Sequence, residues 1–281
     1  MPTKFVLPVI LLLVGLVTSS DAASLILNEW NAVADANFLK TGSTDTFFGR
    51  KVGNGSNWIE LVVTSDHLDI RGWKLDWDNA DPESGVVTFS NSTVWSNLRS
   101  GSIITLRADD TGNAPQPDPA NGNTLTGPYG ALPSDTSYSP SGGDWWIHAN
   151  INDPTLVTYT NWTVDNDNWR MRILDASNNV IQGFVGEGIA GTGWTGAGLG
   201  SDEIAKLENH PSATPSGYRD GASSTFGAPN IWTTGPNSFT QDFSALRADV
   251  PEPSSVILAG LGGVGIAIVG LRRRAARKVL A

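Results

Sequence analysis

The chain has no cysteine and only three histidines among its 281 residues. Without thiols, disulfide staples, thiol nucleophiles, thiolate metal sites and redox motifs are all excluded. His67, His148 and His210 stand at no metal-ligand spacing and in no His-Glu-x-x-His motif. No serine sits in Gly-x-Ser-x-Gly either. Cations are scarce as well: between residues 23 and 250 there are 12 Lys and Arg against 26 Asp and Glu, a formal charge of −14. Phosphate binding needs clustered cations, so nucleic acid is not a partner of this region. A helical period is also missing from it.

What is present is a period of two. Trp73, Leu75 and Trp77 alternate with Lys74 and Asp76; Ile104, Leu106 and Ala108 with Thr105 and Arg107; Trp169, Met171 and Ile173 with Arg170 and Arg172. Each set reads as a half-buried strand, with the apolar members inward. Further strands are expected at 25–30, 58–63, 86–89, 145–151 and 180–185. Eight short strands and 31 glycines favour an all-β antiparallel sandwich or barrel. The one helical turn expected is 201–209. Residues 113–141 carry six prolines with many Gly, Asn and Ser, and read as a long loop. Residues 233–250, polar with little pattern, read as a linker.

Three motifs invite chemistry. Gly186, Gly188 and Gly191 fit Gly-x-Gly-x-x-Gly, as do Gly191, Gly193 and Gly196, but a dinucleotide site needs a βαβ unit that this chain lacks. The acidic run Asp76, Asp78, Asn79, Asp81, Glu83 offers oxygen ligands to Ca²⁺, yet Asp81 occupies the place of the turn glycine, so it reads as a solvated acidic loop. Eleven tryptophans invite sugar stacking. Trp58 and Trp73 are assigned to the core, leaving Trp145, Trp146, Trp162, Trp194 and Trp232 as candidates for exposed contacts. No catalytic residue, metal site or cofactor is assigned.

Both ends read as sorting signals. Lys4, the apolar run 5–17 and the small residues Ser20 and Ala22 form a signal peptide, 1–22, cut by signal peptidase after Ala22. At the other end stand Pro251, Glu252 and Pro253, an apolar stretch 256–271, and Arg272, Arg273 and Arg274 in a basic tail reaching residue 281. The prolines fix φ near −65° and hold the preceding backbone extended. A 16-residue helix over 256–271 reaches about 24 Å, a marginal transmembrane crossing. Its basic tail stays cytoplasmic and everything before residue 256 lies outside.

The Pro-Glu-Pro run, the Gly-rich apolar helix and the arginine cluster together resemble the PEP-CTERM protein-sorting domain over 251–281. That resemblance implies an exosortase that removes the tail, passage through an inner-membrane intermediate, and export to the cell surface or beyond in bacterial systems linked to exopolysaccharide and biofilm. Other segments resemble the lamin tail domain. Asn28 and Glu29 stand in its first strand, Trp58-Ile59-Glu60-Leu61 matches its Trp-Ile-Glu-Leu, and Gly72-Trp73-Lys74-Leu75 its Gly-Trp-x-Leu. The run Ser224-Thr225-Phe226-Gly227-Ala228-Pro229-Asn230 resembles its closing turn, with Phe226 in place of the usual proline. This second resemblance implies an immunoglobulin-like β-sandwich over 23–232, with an insertion at about 109–168, no catalytic centre, and a structural or interaction role. Two alternatives stay open: a carbohydrate-binding module of an exopolysaccharide matrix, marked by coplanar exposed tryptophans, and a secreted hydrolase, marked by a His beside an Asp and a Ser in a cleft.

Overall fold

Thirteen strands and almost no helix make up the computed structural model, which describes residues 23–79, 83–109, 132–189, 198–208, 217–232 and 239–248. In chain order they are β1 (Leu25–Asn31), β2 (Trp58–Val63), β3 (Lys74–Asn79), β4 (Ser84–Phe89), β5 (Ile103–Arg107), β6 (Trp146–Asn150), β7 (Val157–Tyr159), β8 (Trp169–Leu174), β9 (Val180–Glu187), β10 (Ile204–Leu207), β11 (Tyr218–Gly221), β12 (Ile231–Trp232) and β13 (Phe239–Thr240). One short helix, α1 (Ser244–Arg247), follows. The compact unit to which these strands belong ends at Leu246. The signal peptide, the helix 256–271 and the basic tail lie outside the described residues, as does the proline-rich stretch 110–131.

Two sheets form a sandwich. One runs β11-β10-β1-β2-β5-β6, the other β7-β4-β3-β8-β9. Inward side chains of both sheets interdigitate: Trp30 of β1 meets Trp169 of β8 at 5.7 Å between ring centroids and Tyr218 of β11 at 5.6 Å. In the five-stranded sheet the period of two is obeyed, with Leu75, Trp77, Met171 and Ile173 buried and Lys74, Asp76, Arg170 and Arg172 on the wetter face. Trp73, just ahead of β3, is buried with them.

The expected all-antiparallel sheet needs one correction. β5 and β6 run parallel, with Ile104 opposite Ile147. A parallel pair requires a crossover of a dozen residues or more, and the long segment after Arg107 supplies it. The region read as an insertion, 109–168, accordingly contributes β6 to one sheet and β7 to the other.

Three further expectations are corrected. The helical turn at 201–209 is strand β10, hydrogen-bonded between β1 and β11. Four residues carry too little period to tell helix from strand, and pairing on both sides decides the matter. Thr105 and Arg107 do not face solvent; both are fully buried, because β5 lies inside a sheet covered on both faces. The presumed linker belongs in part to the fold: β13 pairs with β12, and Gln241 and Phe243 are buried. The Ser100 hydroxyl also binds the Leu246 carbonyl.

Candidate functional site

The outer face of the six-stranded sheet carries a transverse polar row. Lys206, Glu29, Glu60, Thr105 and His148 are successive register partners on β10, β1, β2, β5 and β6. All five are buried. Local sequence dictates this. Along β2, Trp58 and Glu60 alternate with the inward Ile59 and Leu61, and a bulge at Asn28 of β1 resets the phase so that Trp30 points in and Glu29 out. Residues 32–57 and 222–230 then close over the row. Phe226 anchors that cover, packing on Trp58 at 5.1 Å and on Phe48 at 4.7 Å between centroids.

The row holds the closing turn by hydrogen bonds. Thr225 donates to Glu29 through its amide at 3.3 Å and its hydroxyl at 3.0 Å, and the Gly227 amide donates to Glu60 at 2.8 Å. The Phe226 amide donates to Asp45 at 3.1 Å, and the Ser224 hydroxyl binds the same carboxylate. Lys206 Nζ donates to Ser223 Oγ at 2.7 Å and to the Ile231 carbonyl at 2.9 Å. Gly227 has φ +75°, and a Cβ there would lie 2.5 Å from the Trp146 ring, so the turn needs glycine at that point.

Behind the turn, Asn230 Nδ2 donates to the carbonyls of Asn28 and Leu207, both at 3.1 Å. Asn28 donates to Glu60 at 2.7 Å and accepts from Gln241 at 2.8 Å. Asn230→Ala removes the side chain that joins β1, β10 and the turn. It leaves two buried carbonyls without that donor, at roughly 1 to 3 kcal/mol for each group stranded. A fall of at least several degrees in the melting temperature of the purified protein is expected; an unchanged midpoint means the turn is held by something else.

Burial shifts the titrations. Desolvation pushes Glu29 up to about 7, with Lys206 opposing and Asp45 assisting. Desolvation and the neighbouring Glu29 carry Glu60 well above the carboxylate range. Lys206 is lowered by its own burial against the pull of Glu29, Asp45 and Glu60. His148 falls to about 4 through desolvation and the Arg107 guanidinium. Carboxyls tuned towards neutrality beside a lysine are what acid–base catalysis uses. Here, however, their polar atoms are engaged with the turn beneath a closed cover, so the arrangement is a latch.

The structure thus brings together Asn28, Glu29, Trp58, Glu60, Thr225 and Asn230. Sequence reasoning missed Asp45, Lys206, Gln241 and His148 as members. Trp58 is buried as assigned, but in the small cluster with Phe48 and Phe226, apart from the central core. The first half of the acidic run is strand, not loop: Asp76, Asp78 and Asn79 lie on β3, where Asp76 and Asp78 pair across the sheet with Arg172 and Arg170, each at 2.6 Å, while Glu83 stands between β3 and β4 and Asp81 lies outside the described residues. Trp145, Trp146, Trp162 and Trp232 are half-buried, not exposed; Trp146 packs edge-on against Phe226 and Trp232 lies under Lys206. Trp194, His210 and most of the Gly-rich loop fall outside the described residues.

An open groove of about 760 Å³ lies between the 92–99 loop, the 134–141 segment and the 153–156 turn. At its rim the exposed His67 sets Nδ1 2.7 Å from Asn97 Oδ1 and Nε2 3.4 Å from Asp66. Arg99 also pairs with Asp66, at 2.6 Å.

A family model, the PEP-CTERM protein-sorting motif, matches residues 249–274. No curated protein and no solved structure matches the chain. The match contains Pro251, Glu252, Pro253 and Arg272 to Arg274, and it implies processing by an exosortase and export through a membrane-anchored intermediate.

Proposed function

We propose that this chain is an exported, non-enzymatic protein of the cell surface or extracellular matrix, and that its β-sandwich is a structural or interaction module organised like a lamin tail domain of the immunoglobulin-like kind. The observation that carries the reading is the latch. The polar residues that the resemblance singles out, Asn28, Glu29, Glu60, Thr225 and Asn230, converge on one buried face, where they fasten the closing turn. Residues spent on holding a turn are not available to a substrate. Support against a hydrolase comes from His67, which has Asp66 on one ring nitrogen but Asn97, not a serine, on the other, and from His148, buried against Thr105 at 2.9 Å.

The maturation proposed is cleavage by signal peptidase after Ala22 and removal of the tail near Pro251-Glu252-Pro253. A 16-residue apolar stretch is too short for a comfortable permanent anchor. Replacing Pro251 and Pro253 with alanine frees φ and lets the apolar helix extend backwards, removing the extended backbone a processing enzyme grips. In the native host the wild-type protein should lose the residues after 255, and the double variant should accumulate uncleaved in the membrane fraction. Intact-mass measurement decides. A full tail on the wild-type protein, or equal trimming of both, defeats the sorting proposal.

A further inference from the structure

The structure carries a polar groove that neither the latch nor the sorting tail uses. We propose that this groove binds a segment of uncharged, polyhydroxylated polymer, a neutral glycan. The inference rests on the reading of the sandwich as an interaction module and supplies that module's ligand class.

Size comes first. A volume of about 760 Å³ falls within the range of built small-molecule sites, roughly 300 to 1,000 Å³. Its lining then selects the ligand. Among the described residues nothing hydrogen-bonds the hydroxyls of Ser92, Thr93, Thr136, Ser139 and Ser141, so five residues whose rotors can both donate and accept line the same hollow. Asn97 adds its amide nitrogen, since its oxygen is taken by His67. A sugar hydroxyl is likewise donor and acceptor at once, and such rotors match it in either sense.

Charge excludes the rival ligand classes. The groove holds one cation and one carboxylate. Arg99 is neutralised by Asp66 at 2.6 Å, and Asp153 accepts both the amide and the hydroxyl of Thr155, at 3.0 and 2.6 Å. A polyanion finds no uncommitted cation there, and the net charge of −10 on the chain repels it from a distance. Val94, only partly buried, offers a small apolar surface on which the C–H face of a pyranose can rest.

The walls are fixed before any ligand arrives. Trp95 Nε1 donates to the Leu156 carbonyl at 2.8 Å, and Tyr138 Oη lies 2.8 Å from Ser102 Oγ and accepts from the Arg99 amide at 2.8 Å. Such preorganisation lowers the ordering cost that weak polar ligands otherwise meet. The tryptophans play no part in this site, which separates it from the stacking platform the composition suggested.

Affinity electrophoresis of the purified protein in gels containing dextran, galactomannan or polygalacturonate tests the proposal, with Thr136→Trp and Thr93→Trp as variants. Both threonines are exposed, so the bulky ring obstructs the groove without entering the core, and melting curves confirm that each variant is folded. The wild-type protein should be retarded by at least one neutral polymer and not by polygalacturonate, and either variant should weaken that retardation at least tenfold. Absence of retardation by both neutral polymers, retardation that survives both substitutions, or a preference for polygalacturonate overturns the groove assignment. The release of new reducing ends from a retarding polymer would instead overturn the non-enzymatic reading on which it rests.

Discussion

Trp30→Ala should lower the melting temperature of the purified protein by on the order of 10 °C. Trp30 is 1 % exposed and stands where the two sheets meet, its ring against Trp169 of the facing sheet and Tyr218 of its own. Removing a buried aromatic side chain costs about 3 to 5 kcal/mol, from the lost transfer energy and the cavity left behind. In a domain of this size each kcal/mol moves the midpoint by roughly 2 to 4 °C. The site is poorly placed to collapse, because Trp30 follows the bulge that sets the phase of β1, and Glu29 beside it is tied to Thr225 on the opposite face. The control is Val180→Ala, at a residue 57 % exposed on the edge strand β9, which should leave the midpoint within a degree or so. Equal melting of Trp30→Ala and wild type would mean that Trp30 is not at the sheet interface and that the bulge is misplaced.

How far this arrangement could be read from the chain depended on which sheet a residue occupies. In the five-stranded sheet one face is wet, so apolar and polar residues alternate, and Trp73, Leu75 and Trp77 announce a strand and its inward face together. The six-stranded sheet is covered on both faces. There the alternation persists in the letters but loses its usual meaning: Thr105 and Arg107 look like solvent-facing positions and are buried under the cover residues. Strand β10 was illegible for a related reason. A lysine inside a four-residue apolar run suggests a helix flank, whereas Lys206 is buried against Ser223 and Ile231.

The latch itself was half visible. Asn28, Glu29 and Glu60 stand in recognisable motifs, and the 224–230 turn could be placed near the end of the sandwich. Nothing local links them to Asp45, which is 179 residues from the Ser224 hydroxyl it binds, or to Gln241, 213 residues from Asn28. Contacts of that separation are products of topology, and no window on the sequence carries them. The one available signal was chemical: a lysine or glutamate amid buried strand residues must find partners. The groove was invisible for the opposite reason, since Ser and Thr scattered over three loops form no motif until the chain brings the loops together.

The buried titrations give the last expected result, and its sign has two parts. Glu29 has its folded-state pKa raised to about 7, so its contribution to stability is fully present below about 4.5 and is lost as pH rises through 7. His148 has its folded-state pKa lowered to about 4, so its contribution is present above about 6.5 and is lost as pH falls through 4. The two slopes oppose each other between pH 4.5 and 6.5. Glu60, also raised, leans the same way as Glu29, while Lys206, lowered, gains with rising pH in a window that ends near 10.5. Single substitutions separate the terms. Glu29→Gln keeps the shape and an acceptor for Thr225 but cannot ionise; it should lose acid tolerance, its midpoint at pH 5 falling relative to pH 8 by on the order of 5 °C compared with wild type. His148→Gln should tilt the profile the other way by a similar amount, because the histidine no longer has to charge inside the cover. Asp45, the other carboxylate at the latch, already accepts the amides of Phe47, Phe48 and Phe226 and is left intact in both variants. Melting curves at pH 5 and pH 8 for the three proteins give the answer. If both variants tilt in the same direction, or neither does, these two groups are not titrating within the latch and the row is not closed to water.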